Sequence, residues 1–84
     1  MIGIGSNEGK RLPAITVRAE FSAFVLKICV APGDRVARDQ ELLVLESMKT
    51  EIPVTSPADG QIAAISVSEA QAVEERQALL VIET

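Results

Sequence analysis

Short runs of Val, Ile and Leu, broken by turn residues, recur along most of the chain. The breaks are the segments APGD, SPADG and SEAQ. Brief apolar runs between turn signals are typical of strands in an all-β domain. The predicted strands are AITVR, FVLKICV, ELLVLE, EIPVT, QIAAISV and ALLVIE.

The second half of the chain repeats the first. When residues 15–47 are placed over residues 52–84 without a gap, ten of the 33 positions are identical, including an LLV motif in each half. Such agreement indicates two copies of one structural unit. Residues 64–82 also suit a helix by their Ala, Glu and Gln content. The matching part of the first copy contains Pro32-Gly33, however, which favours turn and strand.

Two strand-rich copies with no helix to cover them would bury their apolar faces on each other. We therefore predict a β-sandwich or flattened barrel with an approximate twofold axis. At 84 residues the chain is long enough for one small domain, which we place at residues 14–84. Residues 1–13 are predicted to be a flexible leader, because they contain Gly, Ser and Asn and end at Pro13.

Composition excludes several classes of function. The net charge of −4 and an aromatic content of 2% disfavour binding to nucleic acid or to an anionic membrane. The chain has no His and one Cys, so we predict no metal site and no catalytic nucleophile with a base. A single thiol and the lack of a signal peptide suggest a cytoplasmic protein.

The remaining thiol and carboxylate side chains that could take part in chemistry are interpreted as having no catalytic role. Cys29 aligns with Ser66 in the repeat, which predicts a half-exposed strand position without a redox role. The pair Glu74-Glu75 and the carboxylates of Asp34 and Asp39 are interpreted as solvated loop residues rather than acid-base groups.

The two copies join at the segment ESMKTE, residues 46–51. A two-residue loop at Met48-Lys49 would pair Ser47 with Thr50 and set Glu46 opposite Glu51. The same register pairs Leu45 with Ile52 on the core face and Val44 with Pro53. It makes the last pair non-hydrogen-bonded, so that the missing amide of Pro53 is not needed.

Neither the loop nor the charges of this predicted hairpin favour its stability. Tight hairpin loops prefer Asn, Asp or Gly, and two glutamates facing each other cost about 0.2–1 kcal/mol. The arrangement suggests that Lys49 presents its amine to another protein, with Met48 partly exposed beside it; the alternative for Met48 is a core position. Glu46 and Glu51 would form an acidic collar that attracts a basic surface, or would simply be solvated.

These residues resemble a known family. The stretch GDRVARDQELLVLESMKTEIPVTSPADGQI is similar to the biotinyl domain of biotin carboxyl carrier proteins, in the biotin/lipoyl attachment family. The family's motif is a Met-Lys pair at a hairpin tip with a Ser-Pro-x-x-Gly turn downstream. The resemblance covers about residues 14–84 and implies a flattened barrel of two four-stranded antiparallel sheets with quasi-twofold symmetry.

The resemblance also implies a function. Lys49 takes the place of the lysine that a biotin protein ligase joins to biotin, using biotinyl-adenylate, with Met48 and Thr50 as flanking recognition residues and Glu46 and Glu51 nearby. The chain would then be a non-catalytic carrier subunit. Its covalent biotin would carry carboxyl groups between a biotin carboxylase and a carboxyltransferase.

The sequence departs from the family pattern at several places. Thr50 stands where biotinyl domains typically have Met, a departure that bears on the efficiency of biotinylation. At Asp39, Ala70 and Arg76 family members often have Gly, so we expect those turns to be adjusted.

Three alternatives are open. One is a lipoyl carrier domain of a 2-oxo acid dehydrogenase complex, although lipoyl domains typically carry Asp where this chain has Met48. Another is an unmodified β interaction module, such as the hairpin domain of an export adaptor. The third, a small enzyme, has little support because no nucleophile has a base.

Overall fold

The computed structural model describes residues 13–84, and the predicted leader at residues 1–13 lies almost wholly outside this region. The described residues form eight strands and the turns between them. The strands are β1 (Ala14–Arg18), β2 (Ala23–Ile28), β3 (Arg35–Val36), β4 (Glu41–Ser47), β5 (Thr50–Thr55), β6 (Gly60–Ile65), β7 (Ala72–Val73) and β8 (Ala78–Glu83). No helix in this region is long and apolar enough to cross a membrane.

The strands form two antiparallel sheets, each of four strands. Their orders are β1-β8-β6-β3 and β5-β4-β2-β7. Replacing each strand of the first sheet by its counterpart in the repeat gives the second sheet, so the symmetry predicted from the sequence is confirmed. Residues 64–82, which also suited a helix, form strands and turns. The short strands β3 and β7 were not among the six predicted runs.

The turn backbones obey the same symmetry. Asp39 and Arg76 are equivalent in the repeat, and both have positive φ, of 71° and 72°. Each amide donates a hydrogen bond to the other half of the barrel: Asp39 to the carbonyl of Ser56 at 2.8 Å, and Arg76 to that of Ala19 at 2.7 Å. The turns are therefore equivalent in both dihedral angle and hydrogen bonding.

The turns expected to be adjusted keep the geometry that glycine favours. Ala70, the counterpart of Gly33, has a φ of 70° against 94° for Gly33. Their amides donate equivalent hydrogen bonds of 2.7 Å, from Gly33 to Ile62 and from Ala70 to Val25. The expectation of altered turns was wrong, since the packing between the halves imposes the left-handed backbone on Asp39, Ala70 and Arg76 as well.

The core lies between the two sheets and is built from equivalent residues of both halves. The side chains of Leu42, Leu43, Leu79 and Leu80 have no exposed surface. Burying one such side chain contributes about 1.5–3 kcal/mol. The other core residues are Val17, Ala19, Ala23, Val25, Val36, Leu45, Ile62, Val67, Val73 and Ile82.

Cys29 does not lie on a strand, which corrects the prediction. It follows the end of β2 at Ile28 and is exposed. Its amide still donates to the carbonyl of Leu42 at 2.9 Å, but the chain then turns through Pro32 and Gly33. Pro32 has no amide to continue the ladder, and Gly33 takes positive φ.

Candidate functional site: the β4–β5 hairpin tip

A two-residue turn, Met48-Lys49, joins β4 to β5. The strands pair in the predicted register, with Ser47 opposite Thr50 and Leu45 opposite Ile52. Met48 and Lys49 both have positive φ, of 52° and 68°. Two consecutive residues of positive φ define the type I′ loop, whose twist matches that of the paired strands.

The tip presents its side chains to solvent. Met48 is 94% exposed, so the alternative of a core position is wrong. Lys49 and Thr50 are also exposed, and the paired Ser47 is half-buried. Lys49 therefore offers a primary amine, Nζ, beyond the end of two paired strands. An accessible amine on a firm hairpin is the geometry that covalent attachment of an acyl group requires.

Glu46 and Glu51 lie opposite each other one step below the tip, as predicted. Counting from the hydrogen-bonded pair that flanks the turn, they form a non-hydrogen-bonded pair, in which side chains approach more closely. Glu46 is half-buried and Glu51 is exposed. Two residues further along β5, Pro53 pairs with Val44, so its missing amide faces away from β4. At this sheet edge the proline removes a donor that another strand could use.

The row that contains the two glutamates continues across the whole sheet. Glu46 also pairs with Phe24 of β2, and Phe24 pairs with Ala72 of β7. Phe24 is 58% exposed, and Ala72 is exposed. Because paired residues point to the same face, Glu51, Glu46, Phe24 and Ala72 line the outer surface in that order.

A groove of about 400 Å³ lies on this surface beside the turn. We call it the Phe24 groove and define it by Phe24, Glu46, Met48, Ala72 and Glu74, all of which line it. Sequence reasoning missed Phe24 and Ala72, and it interpreted Glu74 as a loop charge without a site. In β2, Ala23 and Val25 are buried but Phe24 is exposed; the sequence carries no signal of this, because all three residues are apolar.

A larger groove of about 520 Å³ lies between β1 and β5, each of which is one of the two edge strands of its sheet. Its lining is mainly apolar and includes Ile15, Phe21, Ile52 and Pro53. The groove follows from the flattening of the barrel, because these two edge strands do not pair with each other.

Cys29 has the environment of an unreactive thiol. Although Cys29 is exposed, partial desolvation of the thiol raises its pKa, and so does the hydrogen bond from Sγ to the Glu41 carboxylate at 3.6 Å. A raised pKa leaves the group protonated at neutral pH, and the thiolate is the nucleophile. Among residues 13–84, no three Cys, Asp or Glu side chains are grouped so that they could hold a metal ion.

Comparisons with known proteins decide the family. The family model described as "Biotin-requiring enzyme" matches residues 11–82. The chain belongs to the biotin/lipoyl attachment family. A "Biotinylated protein TB7.3 homolog" from Mycobacterium leprae is 39% identical over 66 residues, which cover 79% of this chain and 93% of that protein.

Further relatives indicate the biotinyl type. The "Biotin carboxyl carrier protein of acetyl-CoA carboxylase" from Solanum lycopersicum is 35% identical over 60 residues, covering 71% of this chain and 86% of that protein. The family description and these relatives together support biotin as the covalently bound cofactor of this domain.

The fold is shared with lipoyl domains. The solution structure of the lipoyl domain of the 2-oxoglutarate dehydrogenase complex from Azotobacter vinelandii superposes with a TM-score of 0.70 at 30% identity, covering 83% of this chain and 95% of that one. The predicted barrel of two four-stranded sheets is therefore confirmed. The fold does not distinguish biotin from lipoate, so the identity of the cofactor rests on the family description and the sequence relatives.

Proposed function

We propose that Lys49 is the attachment site of biotin and that the domain is the carrier subunit of a biotin-dependent carboxylase. The observation that carries this proposal is the exposed Met48-Lys49 pair in a type I′ turn, with φ of 52° and 68°. In a biotinyl domain an exposed lysine at the end of a hairpin can be reached by several partners in turn. Met48 and Thr50, on either side of it, are the proposed recognition residues.

Attachment would proceed by acyl transfer in the active site of a biotin protein ligase. The neutral amine Nζ of Lys49 would attack the acyl carbon of biotinyl-adenylate, forming the amide C–N bond while the bond to the adenylate oxygen breaks and AMP leaves; the nitrogen would give up one proton to a base of the ligase or to water. The ligase would activate the carboxyl group of biotin as the adenylate. The contribution of this chain would be to position the amine of Lys49. The carboxylates of Glu46 and Glu51 would attract a basic ligase surface around the amine.

The carrier role follows from tethering. While the domain is bound in a carboxylase assembly, a group linked to Lys49 meets each partner site at an effective concentration of about millimolar, far above that of a dilute free cofactor. Biotin supplies a ureido nitrogen that can carry a carboxyl group. The domain would present this group first to a biotin carboxylase and then to a carboxyltransferase. Its cytoplasmic location stays a prediction.

Intact-mass spectrometry tests the attachment. The purified protein is incubated with a biotin protein ligase, biotin and ATP, beside the variants Lys49→Arg and Lys27→Arg. Lys27 is an exposed lysine on β2 and serves as the matched control. We expect the mass of one biotinyl group on the unchanged protein and on Lys27→Arg, and none on Lys49→Arg.

Two results would contradict the proposal. Modification that persists in Lys49→Arg would move the site elsewhere. No modification of a protein with the circular dichroism spectrum of a folded β domain would remove the biotin assignment. A gain of mass with a lipoyl ligase would then favour the lipoyl carrier, and no gain with either ligase would favour an unmodified module.

A further inference from the structure

We propose that the Phe24 groove is a resting site for the ring system of biotin tethered to Lys49. This inference rests on the proposed function and adds a docking position on the carrier itself. The groove begins at Met48, the residue next to the modified lysine, and extends over Phe24 to Ala72 on the outer face of the sheet.

The position of the groove favours a tethered occupant. Its row of paired residues runs directly below the turn, with Glu46 between Glu51 and Phe24. The distance from the turn to Phe24 is therefore that of neighbouring strands, about 5 Å for each strand crossed. A lysine side chain extended by the valeryl chain of biotin is long enough to fold back over this surface.

The chemistry of the lining matches both parts of the biotin ring system. Phe24 at 58% exposure and Met48 at 94% exposure offer adjoining apolar surface, on which the fused rings can pack. A thioether sulfur, such as that of biotin, makes favourable contacts with aromatic rings. The carboxylates of Glu46 and Glu74, which line the same groove, can accept hydrogen bonds from the ureido N–H groups.

A weak contact is enough for such a site. Because the tether supplies an effective concentration of about millimolar, a contact with a dissociation constant near that value leaves the ring docked for about half of the time. The groove is an open surface depression, so the docked ring exchanges with the free arm. The carrier would thus shield its cofactor between partner visits and still release it.

Nuclear magnetic resonance separates docking from mere attachment. Amide chemical shifts are compared between the unmodified and the biotinylated protein, after mass spectrometry has shown one biotinyl group. We expect changes at Phe24, Ala72 and Val73, on β2 and β7, in addition to those at residues 47–51. Changes confined to residues 47–51 would overturn the proposal, and the proposed function would be unaffected.

Two substitutions sharpen the test. Phe24→Ala removes the aromatic surface of the groove, and Ala72→Glu replaces a methyl group by a longer side chain that fills the β7 end of the groove. Leu26→Ala is the matched control, since Leu26 is 40% exposed on the same strand and is not among the lining residues. We expect the shift changes on β7 to disappear in Phe24→Ala and Ala72→Glu and to remain in Leu26→Ala.

Capture by streptavidin gives a second readout. If the ring is docked for half of the time, only the free fraction is captured, and freeing it speeds the reaction about twofold. Biotinylated Phe24→Ala should therefore be captured about twofold faster than the unchanged protein, and Leu26→Ala at the unchanged rate. Equal rates in all three would overturn the proposal. If no ligase biotinylates Lys49, the groove loses its occupant, and both proposals fail together.

Discussion

The turn at Asp39 and the turn at Met48-Lys49 both force positive φ on residues other than glycine, but they are supported differently. The Asp39 amide donates to the Ser56 carbonyl of the other half at 2.8 Å, and the Gln40 side chain accepts from the Ala37 amide at 2.9 Å. The tip is held by the pairing of β4 with β5, and Met48 is 94% exposed. The positive φ of Asp39 allows the two halves to pack through a hydrogen bond, whereas the positive φ of Met48 and Lys49 leaves the lysine amine exposed at the end of the hairpin.

Replacing the tip pair by the residues that the turn prefers should have the largest effect. The double variant Met48→Asn with Lys49→Gly should lose biotinylation completely. Its free energy of unfolding should rise by about 1–2 kcal/mol, because Asn and Gly accept positive φ. Mass spectrometry and urea unfolding measure the two effects. Lys49→Arg is the control that loses the amine and keeps the strain, and an equal gain in stability there would contradict the interpretation.

The two halves also differ where β2 and β6 begin. Ala23 and Gly60 are equivalent in the repeat, but a Cβ atom at Gly60 would lie 2.5 Å from the carbonyl oxygen of Glu83. Gly60→Ala should therefore destabilise the domain by about 1–3 kcal/mol through overpacking against backbone. Urea unfolding is the measurement, with Ala23→Gly expected to cost under about 1 kcal/mol. Equal losses would mean that the close approach at Gly60 is easily relaxed.

Placing glycine at the turns of Asp39 and Arg76 should relieve backbone strain and raise the free energy of unfolding by a smaller amount. Arg76→Gly relieves a φ of 72°, and we expect a net stabilisation of up to about 1 kcal/mol over Arg76→Ala. The equivalent change in the other half, Asp39→Gly, should behave alike. Gly33→Ala should lose about 1 kcal/mol, because it introduces at φ 94° the strain that Ala70 already carries. Thermal unfolding of this set would show whether the turns are energetically equivalent.

The like-charge pair below the tip should have the smallest effect. Glu51→Gln removes the repulsion with Glu46 and should raise stability by about 0.5 kcal/mol at low ionic strength. The gain should fade at about 1 M salt, where charges are screened within a few ångströms. Glu75→Gln, an exposed carboxylate on the β7–β8 turn, is the control. If the gain in stability of Glu51→Gln did not depend on salt concentration, the effect would come from packing and not from charge.

Much of this fold follows from the sequence because the repeat and the tip constrain each other. The gapless alignment located equivalent strands, and a two-residue loop at Met48-Lys49 fixed the β4–β5 register that the structure has. The strands β3 and β7 escaped prediction, since two residues are too few to show a period. The Phe24 groove escaped too, because it depends on β7 lying beside β2, and neighbours across a sheet are not written in local patterns.

The amide of Thr84 donates a hydrogen bond to the carbonyl of Pro13 at 3.0 Å. The β7–β8 turn lies near the hairpin tip, because its Glu74 and Met48 line the same groove. Strand β8 begins at this turn, runs away from Lys49 and ends on the opposite side of the domain. Residues 13 and 84 therefore lie side by side at the end of the domain opposite Lys49. Because these two residues are adjacent, residues 13–84 could be inserted into one surface loop of another protein with little rearrangement of that loop. Lys49 would then point away from the site of insertion.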